Sequence, residues 1–384
     1  YNFWLSETWI RYNFILSDMK TQKRHHNCYI CEAVCGLEFE IEDDHIVSIQ
    51  GDKNDPLSQG YLCPKGVAIK DMYTDPDRLR RPVKRVGSSW QEIGWDEALD
   101  YAADGLVGVQ KRFGDDAVAN YFGNAYGTVY GIATHMGYLR AALGSRNNAS
   151  LASIDHISHL MTSAAMYGHQ FLLPVPDLDR TEYLVVAGAN PLASNGSLMT
   201  APRVRDRLKA IHARGGKIIV IDPRRTETAK LADEHIYIRP GTDAAFAAAI
   251  LNTLFEEKLG NPRSLSALLN GLDNVASALA TFSPERTAAV TGIEPQTTRR
   301  LAREFAASNR AVWYGRVGTC AQKFGAITQW LFSLINVVTG NLDNPGGFMW
   351  TTPAVDLTAD PTGDRGSYGE WHTCLLYTSD AADE

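Results

Sequence analysis

Four of the six cysteines lie close together near the start of the chain. Cys28, Cys31, Cys35 and Cys63 follow the spacing C-x2-C-x3-C-x27-C, and Pro64 comes directly after the last of them. Three neighbouring thiolates, with a fourth from a distant turn, can surround an iron–sulfur cubane. A zinc knuckle is the alternative, although zinc sites usually bring two C-x2-C pairs and here the second half supplies a single cysteine. The spacing therefore predicts a [4Fe–4S] cluster.

Lys65 stands two residues after the last cysteine of this motif. A lysine is most often a solvated surface residue, and that interpretation applies here as well. Beside a cluster, its ammonium group has a second interpretation as a cation that bridges the cluster and another cofactor. The sequence leaves both interpretations open.

Glycines and polar residues follow three stretches that are predicted to be buried strands. Ligands of open α/β sheets bind beyond the carboxyl ends of the strands, so these loops are candidate binding segments. Glycine permits close backbone approach to a phosphate, Arg and Thr bind phosphate oxygens, and Asp accepts from amino and imino groups. The loops predict a nucleotide-bearing ligand, and the lack of G-x-G-x-x-G after the first strand disfavours a plain NAD site. The candidates are Gly188 and Asn190 in the first loop, Asp222, Arg224 and Thr226 in the second, and Gly241 and Asp243 in the third.

Alternating strands and helices are predicted to position these loops. Two apolar runs, residues 183–187 and 217–221, flank a helical pattern and make a βαβ unit. Such alternation predicts a parallel sheet with helices on both faces. Further strands are predicted at 235–238 and 311–314, and further helices at 244–259 and 324–342.

The segment between the first cysteine and residue 113 has a different pattern, which predicts a hairpin, a linker and one helix. Residues 37–41 and 45–49 alternate apolar and polar residues around an acidic turn, which predicts a β-hairpin. Residues 78–85 are predicted to be a linker. Residues 96–113 predict an amphipathic helix that ends before Gly114, and its apolar face contains Leu99, Ala102, Leu106 and Val109.

The composition is that of an ordinary globular protein. Of the 384 residues, 45% are hydrophobic and 21% are charged, and the net charge is −7. A mildly acidic chain has no general attraction to nucleic acid or to an anionic membrane, and six cysteines are too few for a disulfide scaffold. The uncharged run 324–342 places its apolar residues on one face of a helix, so no membrane span is predicted.

Both ends of the chain differ from the rest. Residues 1–26 are rich in aromatic residues, without a clean period, a signal peptide or a twin-arginine motif. We expect a non-native or flexible leader, with Met19 as a candidate start and a genuine N-terminal arm as the alternative, and a cytoplasmic protein. Residues 351–384 are predicted to be a truncated end whose tail, from Cys374, resembles translated sequencing adapter.

Several motifs in order resemble those of molybdopterin oxidoreductases of the dimethyl sulfoxide reductase type. They begin with the four cysteines and the segment 63–66, and the similarity covers about residues 27–350. The three strand-end loops resemble the dinucleotide-binding segments of that family. The remaining matching segments are 77–82, 95–98, 315–318 and 339–347.

The resemblance implies a small N-terminal iron–sulfur β domain followed by doubly wound α/β domains. The implied boundaries are 27–80 for the [4Fe–4S] domain, 81–180 with 310–350 for a second domain, and 181–309 for a Rossmann-like dinucleotide-binding domain. It also implies a bis(molybdopterin guanine dinucleotide) cofactor, carrying molybdenum or tungsten and wired to the cluster. The four cysteines would bind the cluster and Lys65 would lie between cluster and pterin. The seven loop residues named above would hold one dinucleotide, and Gly318 and Gln322 would approach the pterins.

The residue that binds the metal separates the members of this family. Many members place cysteine or selenocysteine there, whereas the corresponding place here is Ser153-Ile154-Asp155-His156. Asp155 is therefore the candidate ligand, with Ser153 or Ser158 as alternatives. Asp155 is also a plausible N-cap for a helix that runs to residue 166. His156 would donate to the substrate or pack in the core.

The family resemblance implies an enzyme that carries out two-electron redox chemistry or oxygen-atom transfer on a small molecule of unknown identity. Electrons would pass singly through the cluster to a partner subunit that carries an iron–sulfur centre or a cytochrome. The alternative is a cofactor-free relative that serves as an electron-transfer or structural subunit. A zinc-knuckle α/β binding protein would explain the cysteines but not the loops.

Overall fold

The computed structural model describes residues 21–196 and 198–352. The chain divides into two compact units, at residues 150 and 151. We call them the first unit and the second unit, and each is described by itself. The division falls inside the segment 81–180 that the family resemblance assigns to one domain.

The first unit opens with a three-stranded antiparallel sheet. Its strands are β1 (Gln22–Asn27), β2 (Gly36–Glu42) and β3 (His45–Gly51), in the order β1-β2-β3. The predicted hairpin of β2 and β3 is confirmed, and its acidic turn contains Asp43 and Asp44 with positive φ angles of 46° and 61°. All of strand β1 except Asn27 lies within the segment 1–26 predicted as a leader, so this part of the segment is a strand. Residues 1–20 of that segment lie outside the described residues.

Short elements make up the rest of the first unit. The predicted helix near residues 96–113 is present, but none of its residues is buried, including the apolar face expected to pack. The strands are β4 (Val83–Val86), β5 (Ser89–Glu92), β6 (Asn120–Phe122) and β7 (Asn148–Ser150). The helices are α1 (Pro64–Val67), α2 (Ile69–Thr74), α3 (Trp95–Phe113), α4 (Ala125–Thr128) and α5 (Tyr130–Leu143), with a 3₁₀ turn at Asp115–Ala117.

A four-stranded parallel sheet forms the centre of the second unit. Its strands β9 (Tyr183–Ala187), β10 (Lys217–Ile221), β11 (Glu234–Ile236) and β12 (Ala311–Gly315) lie in the order β11-β10-β9-β12. Strands β9 and β12 and the last four residues of β10 are buried, as inner parallel strands require, whereas only Ile236 of the edge strand β11 is buried. A two-stranded antiparallel ribbon is also present, with β8 (Val175–Pro176) and β13 (Phe348–Met349).

Strand β12 belongs to the same sheet as β9. Ala311 lies opposite Tyr183 and Gly315 lies opposite Ala187, in parallel register. The family resemblance had assigned residues 310–350 to another domain than residues 181–309, and the sheet joins the two segments instead. The reason is that only the pairing with β9 satisfies the inner edge of this fully buried strand.

Helices cover this sheet and carry most of the buried apolar side chains. The predicted helices at 244–259 and 324–342 are confirmed with shifted ends. The helices are α6 (Ala152–Asp155), α7 (Ile157–Tyr167), α8 (Pro191–Ser194), α9 (Val204–Ala213), α10 (Glu227–Leu231), α11 (Asp243–Glu256), α12 (Leu272–Leu279), α13 (Pro284–Thr291), α14 (Pro295–Ala307), α15 (Val317–Cys320) and α16 (Gly325–Val338), with a 3₁₀ turn at Arg263–Leu268.

Two asparagines satisfy the outer edge of β12. The side chain of Asn336 accepts from the Trp313 N–H at 2.9 Å and donates to the Trp313 carbonyl at 2.9 Å. Asn341 accepts from the Ala311 N–H at 3.1 Å. Both side chains are fully buried, and they take the hydrogen bonds that a further strand would otherwise make. These hydrogen bonds explain why the polar residue Asn336 lies within the apolar helix α16. Across residues 21–196 and 198–352, no helix has the length and apolar character needed to cross a membrane.

Candidate functional site

The order of the strands reverses between β9 and β12, and the candidate site lies at this point. From β9 the chain proceeds outward through β10 and β11, whereas β12 is added on the opposite side of β9. The loops that follow β9 and β12 therefore diverge, and the crevice at such a switch point is the usual ligand site of an open α/β sheet. The two loops begin at Gly188 and Arg316.

Two glycines bring these loops into direct backbone contact. The Gly318 N–H donates to the Gly188 carbonyl at 3.0 Å. A Cβ on Gly318 would lie 2.9 Å from the Gly188 Cα, and a Cβ on Gly188 would lie 2.8 Å from the Thr319 backbone nitrogen. Gly188 also has a φ of +56°, which favours glycine. Any side chain at either position would therefore push the two loops apart.

Asp155 and Arg316 form an ion pair at this edge of the sheet. The Arg316 Nη1 lies 2.7 Å from Asp155 Oδ1, and its Nη2 donates to Oδ2 at 2.9 Å. Nη1 also donates to the Asp155 carbonyl at 3.0 Å, which satisfies the end of helix α6. The Arg316 side chain is 4% exposed and that of Asp155 is 29% exposed. Sequence reasoning found Asp155 but gave Arg316 no role, although a lone arginine directly after a buried strand was the available signal.

The ion pair keeps both partners charged. Burial by itself raises the pKa of Asp155, but the interactions of its carboxylate with the adjacent His156 and with Arg316 outweigh burial and lower that pKa to about 2. Burial by itself lowers the pKa of Arg316. The interaction with the Asp155 carboxylate outweighs burial, so the pKa of Arg316 is raised. The site therefore holds an ionised carboxylate that is partly open to solvent.

Two histidines flank this pair. His156 Nδ1 lies 3.8 Å from Asp155 Oδ2 and, among the described residues, is buried without a hydrogen-bond partner. His159 was missed by sequence reasoning, and its Nε2 lies 3.1 Å from the Gly315 carbonyl. Burial, followed by the charge of Arg316, lowers the pKa of His159 to about 3, so its ring is neutral and Nε2–H donates to that carbonyl. The sequence signal that could have identified His159 is its position four residues after Asp155, a spacing of about one helical turn.

The structure places the alternatives to a metal-binding Asp155, which are an N-cap role for Asp155 and the two nearby serines. Asp155 is the last residue of α6, and His156, not Asp155, is the N-cap of α7, so the N-cap interpretation is wrong. The physical reason is that Arg316 holds the carboxylate away from the backbone of α7. Ser158 is buried and donates to the Cys320 carbonyl at 3.2 Å, whereas Ser153 is exposed on α6.

Two of the predicted dinucleotide-binding residues have structural contacts. Asn190 Oδ1 accepts from the Thr228 hydroxyl at 2.7 Å, and its Nδ2 donates to Glu227 at 2.6 Å. Thr226 is 2% exposed and caps helix α10, because its hydroxyl oxygen accepts from the Ala229 N–H at 3.0 Å. These side chains fix the loop after β10 against the loop after β9.

Asp222, Asp243 and Gln322 lie together beyond the ends of β10, β11 and β12. Gln322 Nε2 donates to Asp243 Oδ2 at 3.0 Å, and its Oε1 lies 3.9 Å from where a Cβ on Gly241 would be. Burial raises the pKa of Asp222 and that of Asp243, and the charge of Asp222 adds to the shift at Asp243. Gln322 Oε1 is buried and has no hydrogen-bond partner among the described residues. An orphaned acceptor beside two carboxylates fits a ligand that brings several N–H donors.

Arg224 and Gly318 complete the set of predicted loop residues. The Arg224 backbone N–H donates to Asp222 Oδ1 at 2.8 Å, while its exposed guanidinium lies 3.7 Å from Glu227. Gly318 accepts from Gln322 Nε2 through its carbonyl at 3.3 Å. The second unit thus brings the candidates from all four strand ends to one edge of the sheet.

The four predicted cluster cysteines form a separate site in the first unit. Cys28 and Cys35 are buried, and the Cys28 N–H donates to the Cys35 carbonyl at 2.8 Å. Burial raises the pKa of Cys28, the neighbouring Cys31 and Cys63 raise it further, and Lys65 lowers it. Burial and the other three cysteines raise the pKa of Cys35 to about 12. Cys28 and Cys35 therefore lie within electrostatic range of each other and of both Cys31 and Cys63.

The donors of this pocket fit an iron–sulfur cluster. In residues 21–196 and 198–352, no three His, Cys, Asp or Glu side chains lie close enough together to hold one metal ion. A cubane binds each thiolate at a separate iron atom, so its four ligands surround a volume and do not meet at one point. Lys65 is exposed on helix α1, and the N-cap of that helix is Cys63.

Comparison with known proteins identifies the family. The sequence model described as molybdopterin oxidoreductase matches residues 78–353. The chain belongs to the molybdopterin oxidoreductase family. A second model, described as the molybdopterin oxidoreductase Fe4S4 domain, matches residues 21–73. The predicted family, the [4Fe–4S] cluster and the molybdopterin cofactor are thereby confirmed.

Relatives of this molybdopterin oxidoreductase include enzymes with different names. The chain is 27% identical to F420-dependent formate dehydrogenase 2 subunit alpha of Methanococcus maripaludis, over 84% of this chain and 46% of the relative. It is 28% identical to thiosulfate reductase molybdopterin-containing subunit PhsA of Salmonella typhimurium, over 83% and 41%. It is also 28% identical to formate dehydrogenase H of Escherichia coli, over 83% and 44%. The chain thus spans about half the length of the relatives it matches.

A solved structure supports the predicted mixed α/β fold. Acetylene hydratase from Pelobacter acetylenicus matches with a TM-score of 0.71 and 25% identity, over 86% of this chain and 45% of that one. The names of the relatives range from dehydrogenase to reductase to hydratase. Membership of this molybdopterin oxidoreductase family therefore does not fix the substrate.

Proposed function

We propose that this chain is the catalytic part of an enzyme that performs two-electron redox chemistry or oxygen-atom transfer on a small molecule. The proposed cofactor is bis(molybdopterin guanine dinucleotide) with molybdenum or tungsten, and electrons pass through the [4Fe–4S] cluster. The observation that carries the proposal is that the loops after four parallel strands lie at one edge of the sheet, where Arg316, directly after β12, pairs with Asp155.

The glycines and carboxylates of the second unit would bind one dinucleotide. Gly188 and Gly318 allow the loops after β9 and β12 to meet in backbone contact, and a phosphate or a pterin ring would approach the backbone of this joined pair of loops. Asp222 and Asp243 accept hydrogen bonds from amino and imino groups, as a guanine edge presents them. The buried Oε1 of Gln322 offers one more acceptor.

Asp155 is the proposed protein ligand of the metal. A ligand must be deprotonated, and the ion pair with Arg316 keeps this carboxylate ionised. Its oxygen is a harder donor than the thiolate that many members of the family use, and the donor type tunes the redox potential. The bound metal supplies the two-electron chemistry, while the protein positions it and tunes its environment. His156 is placed next to Asp155 and would donate to a substrate oxygen.

The cysteines of the first unit would hold the cluster. The pKa values of Cys28 and Cys35 are raised by burial and by the neighbouring cysteines, so cluster binding must displace the protons from two thiols that would otherwise keep them. Lys65 adds a positive charge to this pocket, which favours the thiolates. We propose that a separate subunit with an iron–sulfur centre or a cytochrome exchanges electrons with the cluster.

Metal analysis tests this function. The full-length protein is purified without oxygen, and iron, molybdenum, tungsten and zinc are measured per chain. About four iron atoms and about one molybdenum or tungsten atom are expected. Iron without molybdenum or tungsten would contradict the proposal in favour of a cofactor-free subunit, and zinc in place of iron would contradict the cluster. Asp155→Ala should abolish turnover while iron content stays unchanged, and a fully active variant would exclude Asp155 as the ligand.

A further inference from the structure

The contact between Asp155 and Arg316 has a defined geometry. One guanidinium nitrogen faces each carboxylate oxygen, with Nη1 2.7 Å from Oδ1 and Nη2 2.9 Å from Oδ2. These two contacts, of which the one to Oδ2 is a hydrogen bond, place the guanidinium across the open end of the carboxylate, opposite both of its oxygens. The arginine therefore occupies the side of the carboxylate that lies between the two oxygens.

This geometry limits how a metal can bind Asp155. A metal that is chelated by both carboxylate oxygens approaches through the same open end that Arg316 occupies. The outer lone pair of each oxygen stays available, because a carboxylate has about four acceptor positions in all. With 29% of the Asp155 side chain exposed, one such position can be reached from outside.

Arg316 is fixed in this position by the sheet. Its backbone N–H donates to the Ala187 carbonyl at 3.2 Å. Its carbonyl accepts from the Thr319 N–H at 2.7 Å and from the Cys320 N–H at 3.1 Å. The side chain is 4% exposed, so there is no solvent-filled space into which it could swing. The Arg316 side chain would therefore stay in place when a metal binds Asp155.

We propose that Arg316 is a positioning residue that restricts Asp155 to binding the metal through one oxygen. Single-oxygen binding leaves one more coordination position free for the substrate than chelation does. The inference rests on the proposed role of Asp155 as the metal ligand and deepens it.

X-ray absorption at the metal edge of the cofactor-loaded protein tests this inference. The wild-type spectrum should contain one Asp155 oxygen at bonding distance. Arg316→Lys keeps the positive charge but offers a single ammonium that cannot span both oxygens. The count of bound oxygens should then rise by about one as the carboxylate chelates the metal, and the electron paramagnetic resonance signal of the one-electron-reduced metal should shift.

Arg214→Gln is the matched control. Arg214 is also partly buried, but it donates to the carbonyls of Leu178 and Thr181 and does not contact Asp155. This variant should leave both spectra unchanged. A shift of equal size in Arg214→Gln would show that general loosening of the fold, and not the contact with Asp155, changes the metal.

Three results would overturn the inference. The first is a wild-type spectrum with both carboxylate oxygens bound, which needs no variant at all. The second is an unchanged oxygen count in Arg316→Lys while Asp155→Ala alters the spectrum, which refutes the positioning role alone. The third is an unchanged spectrum in Asp155→Ala, which refutes the proposed ligand and with it the inference.

Discussion

Replacing Gly318 by alanine tests the contact between the loops after β9 and β12. The new Cβ would lie 2.9 Å from both the Cα and the carbonyl oxygen of Gly188. Such contacts involve backbone atoms, which cannot rotate away as a flexible side chain can. The loops must therefore separate, and the 3.0 Å hydrogen bond between the Gly318 N–H and the Gly188 carbonyl is stretched or lost.

The expected loss of stability follows from these two effects. Overpacking a tight contact costs about 1–3 kcal/mol, and a lost hydrogen bond costs about 1 kcal/mol more. The free energy of unfolding should therefore fall by about 2–4 kcal/mol. In a domain of about 200 residues, each kcal/mol lowers the melting temperature by roughly 2–4 °C, so Gly318→Ala should melt roughly 5–15 °C lower.

Thermal unfolding and metal content are measured on Gly318→Ala, on Gly105→Ala and on the wild type. Gly105 lies in helix α3, and nothing is within 4 Å of a Cβ built there, so its replacement should be neutral or stabilising by up to about 1 kcal/mol. Gly318→Ala should also lose molybdenum or tungsten, because the two loops that would hold the cofactor are then pushed apart. An unchanged melting temperature would refute the close contact. A lower melting temperature with full metal content would refute the proposed approach of the cofactor to Gly318.

Three further predictions concern other parts of the chain. Burial raises the pKa of Glu304, but hydrogen bonds from Lys217, Tyr183 and Arg300 outweigh it and lower that pKa from 4.5 to about 2. Its contribution to stability is therefore complete above about pH 5 and lost as the pH falls towards 2, and denaturation midpoints against pH should show a smaller acid loss in Glu304→Gln than in the wild type. Thr226→Ala removes the N-cap of α10 and should lower the free energy of unfolding by about 1 kcal/mol, whereas Thr226→Ser should retain it, and equal midpoints in chemical denaturation would contradict this. Cys63→Ser should lose iron and the visible absorbance of the cluster, while Cys320→Ser, in the second unit, should keep both; retained iron in Cys63→Ser would exclude it as a ligand.

The local pattern of the sequence was sufficient for most elements of the sheet. Strands β9 and β10 have the predicted bounds, because a run of four or five consecutive apolar residues between polar turns is typical of a buried strand. The hairpin of β2 and β3 also follows from local alternation. Helix α3 shows the limit of this reasoning, since its periodicity predicted the helix correctly but not whether its apolar face is covered.

The cysteine motif and the candidate loop residues could be proposed from the sequence because their chemistry depends on residue type and spacing. Their individual contacts could not. Asn190 and Thr226 match a nucleotide-binding pattern, yet each makes hydrogen bonds that hold helix α10 in place. Nothing in the residue type distinguishes a hydroxyl that caps a helix from one that binds a phosphate.

The sequence by itself determined the parts that depend on neighbouring residues: the strands, the cysteine motif and the family. Only the tertiary structure decided that β12 joins β9 in one sheet and that the strand order reverses there. That pairing brings Arg316 to Asp155, which is 161 residues away in the chain. The physical reason is that an ion pair of this kind depends on the packing of elements that are distant in the chain. The free energy of that packing cannot be deduced from any local sequence pattern. Asp155 could therefore be named from the sequence, but the arginine that orients it could not.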